Sequence, residues 1–468
     1  MNADRSTRAS SREAFRERVL VVGTTPDYID LLLRRHPGRA FFLTERKFRT
    51  AAKEPRPAAR DEWATDLLRE RGGILAGLRA ALEQRRIRII GVACFDCESL
   101  ALAAFLARAF NLPFASEEAV IAARDKHECK RIWNEAGLPA PAAALVRDED
   151  EAVRFLAGLR SHVRNRSRRR AGRRGAAHPA AAAIVLKPLT GSGSELVFLC
   201  RTEEEVRRAI GVMRARLAHH HDARMYAPVC TSHGRLDPRA VFVAEEFVQG
   251  PEYSCDFVLD NERVEIVRIA RKIFAPAPPI GTTLAYVIPA RLPAGIGLAA
   301  FRRQIGAAAR ALGLRRAMVM LDFILRDGRA VMIEMSPRPG GDCLPPLILA
   351  SSGLDMLGAA LDFATGRALA IPPKSRWKRL VGLRLIARQE GVIARIDPRP
   401  LAADRRVLDV HLTRERGHRV ILPPANYDSR ILGYAIFAPR DWRRLAAECR
   451  ELRSRLGLAF ERASGAAR

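Results

Sequence analysis

Two acidic residues lie close together in the segment Ala317 to Asp342, AMVMLDFILRDGRAVMIEMSPRPGGD. Asp322 lies in the apolar run MVMLDFIL and Glu334 in the apolar run AVMIEM, and the intervening residues RDGR are typical of a hairpin turn. If the runs pair as antiparallel strands, both carboxylates can project from one face. Two neighbouring acids repel each other unless a cation lies between them, so the segment predicts a cation-binding site. The alternative is a buried hairpin whose charges lie on its solvent face.

A second candidate is a glycine and serine loop between two predicted strands, in AAIVLKPLTGSGSELVFL. The backbone N–H groups of such a loop can surround phosphate oxygens, and Lys187 at the end of the first strand adds positive charge. The loop consists of Gly191, Ser192, Gly193 and Ser194. It is not a Walker loop, because no Gly-Lys-Ser/Thr follows. A simple glycine hairpin is the alternative.

A third candidate is VFVAEEFVQGPEYSCDFVLD, which predicts a strand, a short linker and another strand. Glu245 and Glu252 flank an extended backbone around Val248. One backbone donor and one acceptor can bind an adenine edge, and a carboxylate can accept both ribose hydroxyls. The alternative is a hairpin with surface acids.

Further basic residues lie at the ends of predicted elements. Arg338 lies in a turn flanked by proline and glycine, downstream of the two acids. The stretch EEAVIAARDKHECKRIWNEAG predicts one amphipathic helix with Lys126 and Lys130 one turn apart. Arg271 and Lys272 are candidates for holding a substrate carboxylate, and exposed charges at a strand end are the alternative.

The elements that must position these residues begin with alternating strands and helices. Apolar runs RVLVVGTT, FFLTE and RIRIIGVA alternate with helical patterns at 26–36, 62–85 and 98–110. This order predicts an α/β lobe with a doubly wound parallel sheet at 18–118. Gly23 is a weak nucleotide signal, because no G-x-G-x-x-G completes it, so we expect this lobe to shape a substrate pocket.

Two more domains are predicted downstream. Residues 119–370 contain the three candidates, with a flexible Arg-rich insertion at about 158–183. Residues 371–468 contain short strands with glycine and proline turns before a final helix, which predicts a small, mainly β lobe without a catalytic signal.

The composition of the chain limits the classes of protein to which it can belong. The 468 residues are 48% hydrophobic, enough for several folded domains, and no apolar run reaches the roughly 18 residues that span a bilayer. The charged N-terminus lacks an apolar signal region, so we expect a cytoplasmic protein without a membrane partner. The eight cysteines have irregular spacing with one close pair, Cys94 and Cys97, and reduced thiols are expected.

The net charge of +28 raises a polyanion-binding hypothesis. Eight arginines lie between Arg160 and Arg174, without acids or aromatic residues for base stacking, which favours a solvated insertion over a nucleic-acid site. The adjacent residues His219, His220 and His221 cannot all face one metal from a regular helix, so we interpret them as a solvated helix end.

Taken in order, the motifs resemble the ATP-grasp superfamily of carboxylate–amine and carboxylate–thiol ligases, over about Arg18 to Arg367. The resemblance rests on RDKHECKRIWNEAGLPAP, IVLKPLTGSGS, AEEFVQGPEYSCD and LDFIL…VMIEMSPRPGGD as a set. It implies an ATP-grasp fold, and the C-terminal layout is similar to that of the biotin carboxylase-like and amino-acid ligase branches.

The resemblance also implies roles for individual residues. The triphosphate would be bound by Lys126, Lys187 and the glycine loop. Adenine would be bound by Glu245 and the backbone of Val248, and ribose by Glu252. Metal ligands would be Asp322, Glu334 and Ser336, with Arg338 beside the acyl phosphate. Ser336 stands where the family usually has Asn, and a shorter side chain leaves open whether one or two Mg²⁺ ions bind.

The sequence thus predicts an ATP-dependent, ADP-forming carbon–nitrogen ligase. It would activate a small-molecule carboxylate as an acyl phosphate and join it to an amine, as in amino-acid ligation, using ATP and Mg²⁺ or Mn²⁺. The resemblance is also compatible with a homodimer. A bicarbonate-using carboxylase or carbamoyl-phosphate-type enzyme is the first alternative, and a polyanion-binding protein acting through the Arg-rich tract is the second.

Overall fold

The computed structural model describes residues 14–52, 54–171, 182–275, 279–293 and 295–461. The first lobe contains a parallel four-stranded sheet of order β3-β2-β1-β4. Its elements are β1 (Arg16–Val22), α1 (Pro26–Arg35), β2 (Ala40–Glu45), α2 (Arg46–Ala51), β3 (Glu62–Thr65), α3 (Arg71–Gln84), β4 (Ile87–Cys94) and α4 (Leu100–Ala109).

Helices cover both faces of this sheet, as the sequence predicts. Along β1, Leu20 and Val22 pack with α3 and α4, whereas Val19 and Val21 pack with α1. The alternation follows from the two-residue period of a strand. The predicted helix at 62–85 is wrong in its first part, because residues 62–65 form β3 beside β2.

The second region begins with α5 (Glu117–Arg124) and α6 (Lys126–Glu135). The single predicted helix is wrong here, because Asp125 separates the two helices and caps α6 by accepting from the backbone N–H groups of His127 and Glu128. The elements that follow are β5 (Ala143–Val146), α7 (Glu149–Ala171), β6 (Ile184–Pro188), β7 (Phe198–Cys200), α8 (Glu203–Leu217), β8 (Val229–Thr231), β9 (Gly234–Leu236) and β10 (Phe242–Glu246).

The Arg-rich tract is largely helical where it is described. Residues 158–171 of the flexible insertion predicted at about 158–183 continue α7, and residues 172–181 lie outside the described residues, so the flexibility stays a prediction. The strands form an antiparallel sheet of order β5-β10-β6-β7, and β8 and β9 form a separate hairpin.

An eight-stranded antiparallel sheet joins the rest of the chain, in the order β15-β14-β11-β12-β13-β16-β20-β18. Its first part contains β11 (Glu252–Asp260), β12 (Arg263–Phe274), β13 (Thr283–Ile288), α9 (Leu298–Ala311), β14 (Arg316–Arg326), β15 (Arg329–Ser336), α10 (Leu344–Ser352) and α11 (Met356–Ala364). The C-terminal part contains β16 (Leu380–Ile386), β17 (Gly391–Asp397), α12 (Arg399–Ala402), β18 (Val407–Leu412), β19 (Arg419–Val420), β20 (Ile431–Phe437), α13 (Leu445–Ser454) and β21 (Gly457–Phe460).

The C-terminal part has the small, mainly β character that the sequence predicts. It also continues the large sheet, because β16 pairs with β13 across the predicted boundary at 371, and their apolar side chains share one core. Within the described residues no single helix is long and apolar enough to cross a membrane, while the bent pair α10 and α11 passes that test by length and composition only.

Candidate active site

The predicted acidic hairpin forms, and its two acids are direct cross-strand neighbours. Asp322 on β14 pairs with Glu334 on β15 in the register, as the runs of apolar residues and the turn at 326–329 require. The Asp322 side chain is only 17% exposed, which excludes the alternative of a solvent-facing acid. Its Oδ1 atom is buried and has no hydrogen-bond partner. A buried, unpaired carboxylate oxygen is unfavourable by itself and fits a bound cation.

The two acids differ in their electrostatic surroundings. Burial raises the pKa of Asp322 to about 6, against the attraction of Lys272. Burial also opposes ionisation of Glu334, but the charges of Lys126 and other nearby lysines outweigh it and lower the pKa of Glu334 below its ordinary value. The hairpin therefore lies among several cations that arrive from other elements.

Lys126 and the glycine loop are in contact, and their binding of a triphosphate stays a prediction. Lys126 is the first residue of α6, and its Nζ donates to the carbonyl oxygen of Gly191 at 3.0 Å. The loop between β6 and β7 turns through left-handed conformations, with φ of +112° at Gly191, +67° at Gly193 and +59° at Ser194. The Ser194 hydroxyl donates to the carbonyl oxygen of Gly281 at 3.1 Å, so the loop also contacts the segment before β13.

Lys187 belongs to a buried ion group that the sequence shows only in part. Its Nζ donates to Glu245 Oε2 at 2.7 Å, and Nζ of the fully buried Lys130 lies 2.9 Å from Glu245 Oε1. Burial opposes ionisation of Glu245, but the two lysines lower its pKa. The Glu245 carboxylate is thus engaged by two cations, and its contact with adenine stays a prediction. Val248 is buried in the linker between β10 and β11.

Lys272 connects the predicted ribose residue to the predicted metal ligand. Its Nζ donates to Glu252 Oε1 at 2.6 Å and to Asp322 Oδ2 at 2.5 Å, and its side chain is 10% exposed. The alternative of an exposed charge at a strand end is therefore wrong for Lys272, whereas Arg271 is exposed. Partners 20 and 50 residues away carry no local sequence signal, so the role of Lys272 could not be read from the sequence.

Arg338 contacts a residue of the first lobe. Its Nε donates to Cys97 Sγ at 3.1 Å and its Nη1 to the carbonyl oxygen of Pro339 at 2.8 Å. The Ser336 hydroxyl is 3.9 Å from the same sulfur. The first lobe therefore contacts Arg338, and that this lobe shapes a substrate pocket stays a prediction; no sequence pattern singles out Cys97 from Cys94. All eight cysteines are free thiols in the structure.

A buried ion pair holds the turn that carries Arg338. Asp256 accepts from Arg268 Nε at 2.8 Å through Oδ2 and from the backbone N–H of Gly340 at 3.0 Å through Oδ1. Asp256 and Arg268 are cross-strand partners on β11 and β12, and the Arg268 side chain is fully buried. The turn is thus tied to the centre of the large sheet, which fixes its position relative to the acidic hairpin.

Comparisons with known proteins agree with this geometry. Residues 180–346 match the family model of the ATP-grasp domain. The uncharacterized protein y4rH of Sinorhizobium fredii (strain NBRC 101917 / NGR234) is 27% identical over 298 residues, which are 62% of this chain and 52% of that protein. The chain thus spans about half the length of this relative.

Two solved structures show the same fold over nearly the whole chain. The L-amino acid ligase from Bacillus licheniformis has a TM-score of 0.68 at 17% identity, covering 95% of this chain and 99% of that one. The biotin carboxylase domain of the 2-oxoglutarate carboxylase from Hydrogenobacter thermophilus, solved as a dimer with MgADP, ADP and bicarbonate, has a TM-score of 0.59 at 15% identity, covering 96% and 91%. The predicted ATP-grasp fold and the resemblance to that superfamily are confirmed.

Proposed function

The chain contains an ATP-grasp domain, and on that premise we propose that it is an ATP-dependent, ADP-forming ligase. It would activate a small-molecule carboxylate as an acyl phosphate and join it to an amine. One observation carries the proposal most directly. Asp322 and Glu334 face each other across the hairpin, surrounded by lysines from three other elements, with one carboxylate oxygen buried and unpaired.

The chemistry explains why such a site needs both signs of charge. A carboxylate oxygen is a poor leaving group when an amine attacks, so the carboxylate must first be phosphorylated. That step brings together two anions, a carboxylate and a triphosphate, which repel each other. Lys126 at the start of α6 and Lys187 at the end of β6 would offset the charge of the phosphates.

The acidic residues fit a hard divalent cation, because oxygen ligands are what Mg²⁺ prefers. Asp322 and Glu334 would hold it, with Ser336 as a further candidate on the same strand face as Glu334. When bound, Mg²⁺ supplies charge neutralisation between the phosphates and the two acids. Whether the site holds one ion or two depends on Ser336, and Mn²⁺ is expected to substitute.

The loop at 191–194 and Arg338 have complementary tasks in this proposal. Gly191 and Gly193 let the loop backbone point its N–H groups at phosphate oxygens and exclude water, which would otherwise hydrolyse the acyl phosphate. Arg338, whose guanidinium is held by Cys97 and by its own turn, would stabilise the oxyanion that forms when the amine attacks.

The fold likeness to an L-amino acid ligase supports amino acids as the substrates to test first. ADP release should be measured with paired panels of carboxylates and amines, and the products identified by mass spectrometry. We expect ADP to form only when both substrates are present, with an amide product of matching mass. A bicarbonate arm is included because another structure of this fold contains bicarbonate. ADP release that needs bicarbonate and no other carboxylate would replace the ligase proposal with the carboxylase-type alternative.

A further inference from the structure

A second group of potential metal ligands lies beside the start of α6, apart from the acidic hairpin. Among the described residues, His127, Glu128 and His233 each offer one ligand atom, and these three atoms lie within 4.8 Å of one another. His127 and Glu128 are the second and third residues of α6, and His233 lies in the turn between β8 and β9. The group therefore joins a helix to a hairpin about 100 residues further along the chain.

One distance within the group is close to what a tetrahedral metal needs. His233 Nε2 lies 3.6 Å from Glu128 Oε2, and the His127 and His233 rings have centroids 5.2 Å apart at an angle of 54°. With metal–ligand bonds of about 2.0–2.1 Å, two ligand atoms of a tetrahedral zinc lie roughly 3.4 Å apart. In addition, His127 Nδ1 is buried and has no hydrogen-bond partner, so one imidazole nitrogen is desolvated without compensation.

Glu128 already has partners, and these do not prevent it from binding a metal. Arg131 Nη2 and the Ser232 hydroxyl donate to Glu128 Oε1 at 2.7 and 2.9 Å, and Arg131 Nε donates to Oε2 at 2.9 Å. Each carboxylate oxygen has two lone pairs, so a metal can bind beside a donated hydrogen bond. Arg131 also bonds Glu135 at 2.6 and 2.7 Å, so its charge stays paired if it moves away from Glu128.

We propose that His127, Glu128 and His233 form a zinc-binding site that fastens the β8–β9 hairpin to the first turn of α6. Two imidazoles and one carboxylate suit Zn²⁺, whereas Mg²⁺ prefers sites made of oxygen ligands. The fourth position would be filled by water. Because the site adjoins Lys126, zinc would fix the helix end that carries this lysine. The proposal does not depend on which reaction the protein catalyses.

The test is zinc binding by the purified full-length chain. After incubation with ZnSO₄ and gel filtration, we expect one Zn²⁺ per chain by elemental analysis and a higher melting temperature than for the metal-free protein. His233→Ala and Glu128→Gln should each weaken zinc binding at least tenfold by calorimetry and remove the thermal shift. Since His233 is partly exposed in a turn, the His233→Ala chain should fold. Excess Mg²⁺ should leave the bound zinc in place.

Two controls separate this site from adventitious binding. The double variant His219→Ala/His221→Ala removes two histidines that follow α8, and Cys230→Ser removes an exposed thiol in the β8–β9 hairpin. Both should retain the bound zinc and the thermal shift. The proposal is overturned if His233→Ala binds zinc as tightly as the unaltered chain, if zinc is lost only in the control variants, or if the chain does not retain zinc at all. Co²⁺ in place of Zn²⁺ should give visible absorption bands that His233→Ala lacks.

Discussion

The C-terminal part and the candidate active site each contain a buried group of charged residues, and they differ in how completely the charges are paired. Arg406 donates to both oxygens of Asp404 at 2.9 and 2.8 Å, to Glu448 at 3.0 Å and to Glu451 at 2.7 Å. None of the polar side-chain atoms of Arg406, Asp404 or Glu448 is buried without a partner. In the candidate active site, by contrast, Asp322 Oδ1 is buried and unpaired.

The carboxylate pKa values show the same contrast. Hydrogen bonds from Arg406 hold the pKa of Asp404 well below its usual range, whereas burial raises the pKa of Asp322 to about 6. We call Arg406 with Asp404, Glu448 and Glu451 the closed group, because its charges are paired with one another and need no further partner. We call Asp322 and Glu334 with the surrounding lysines the open group. It carries an electrostatic cost in the free protein, which a ligand of the right charge can remove. Both groups are buried, so these two groups differ in how completely their charges are paired.

The largest effect is expected from opening the closed group with Arg406→Met. Asp404 would keep Arg455 at 3.1 Å and Glu448 would keep two backbone N–H donors, but both buried carboxylates would lose the guanidinium that they share. We expect the free energy of unfolding to fall by about 3–5 kcal/mol, measured by chemical denaturation. The exposed neighbour Arg405 is the matched control, and Arg405→Met should change stability by no more than about 0.5 kcal/mol. Equal losses in the two variants would contradict a closed structural group.

The second largest effect is expected on the rate of ADP formation when a charge of the open group is removed. Glu334→Gln keeps the size of the side chain but removes its charge, so it should lower the rate of ADP formation by about 10²–10³-fold. The fold should be retained, as measured by the melting temperature. Asp327→Asn, in the exposed turn of the same hairpin, should leave the rate unchanged. Full turnover by Glu334→Gln would remove the hairpin from the proposed mechanism.

The pairing of Glu98 is intermediate between that of the closed group and that of the open group. Its cation, Arg224, is 3.7 Å away, and burial raises the pKa of Glu98 to about 7. The unfolded chain then releases this proton at lower pH than the folded chain, so wild-type stability should fall as pH rises from about 4.5 to 7. For the wild-type chain, Glu98 should lower the free energy of unfolding by about 2–3 kcal/mol at pH 8 relative to pH 4.5. Glu98→Gln should not show this loss. Denaturation curves across this pH range are the measurement, and parallel curves for both proteins would refute the assignment.

The smallest effect is expected from Lys272→Met, which removes a cation from the open group. Because burial already favours protonation of Asp322, that residue can take up a proton when Lys272 is lost, and the expected destabilisation is only about 1–2 kcal/mol. Millimolar Mg²⁺ should recover part of the lost melting temperature at pH 8, since a metal can replace the ammonium group. The Arg406→Met deficit should not respond to Mg²⁺. An equal response in both variants would remove the proposed difference between open and closed groups.

Local features of the candidate site could be predicted because local chain chemistry encodes them. The apolar runs around Asp322 and Glu334, with the intervening Asp-Gly turn, form β14 and β15 as expected. Two local predictions were wrong for identifiable reasons. The pairing of 62–65 with β2 overrides the helical pattern there, and the Asp125 cap starts a new helix at Lys126. In both cases a backbone hydrogen-bonding partner outweighed periodicity.

The sequence alone determined the identity and order of the motifs, because each motif is a short segment whose spacing is visible in one dimension. Their resemblance to the ATP-grasp superfamily then implied the fold. Only the tertiary structure decided which charges pair. Lys272 meets Asp322, Lys130 meets Glu245 and Cys97 meets Arg338 across 50, 115 and 241 residues. No local pattern encodes such contacts, since they depend on how separate elements pack. For the acidic hairpin, packing brought in the surrounding lysines and left one oxygen of Asp322 unpaired.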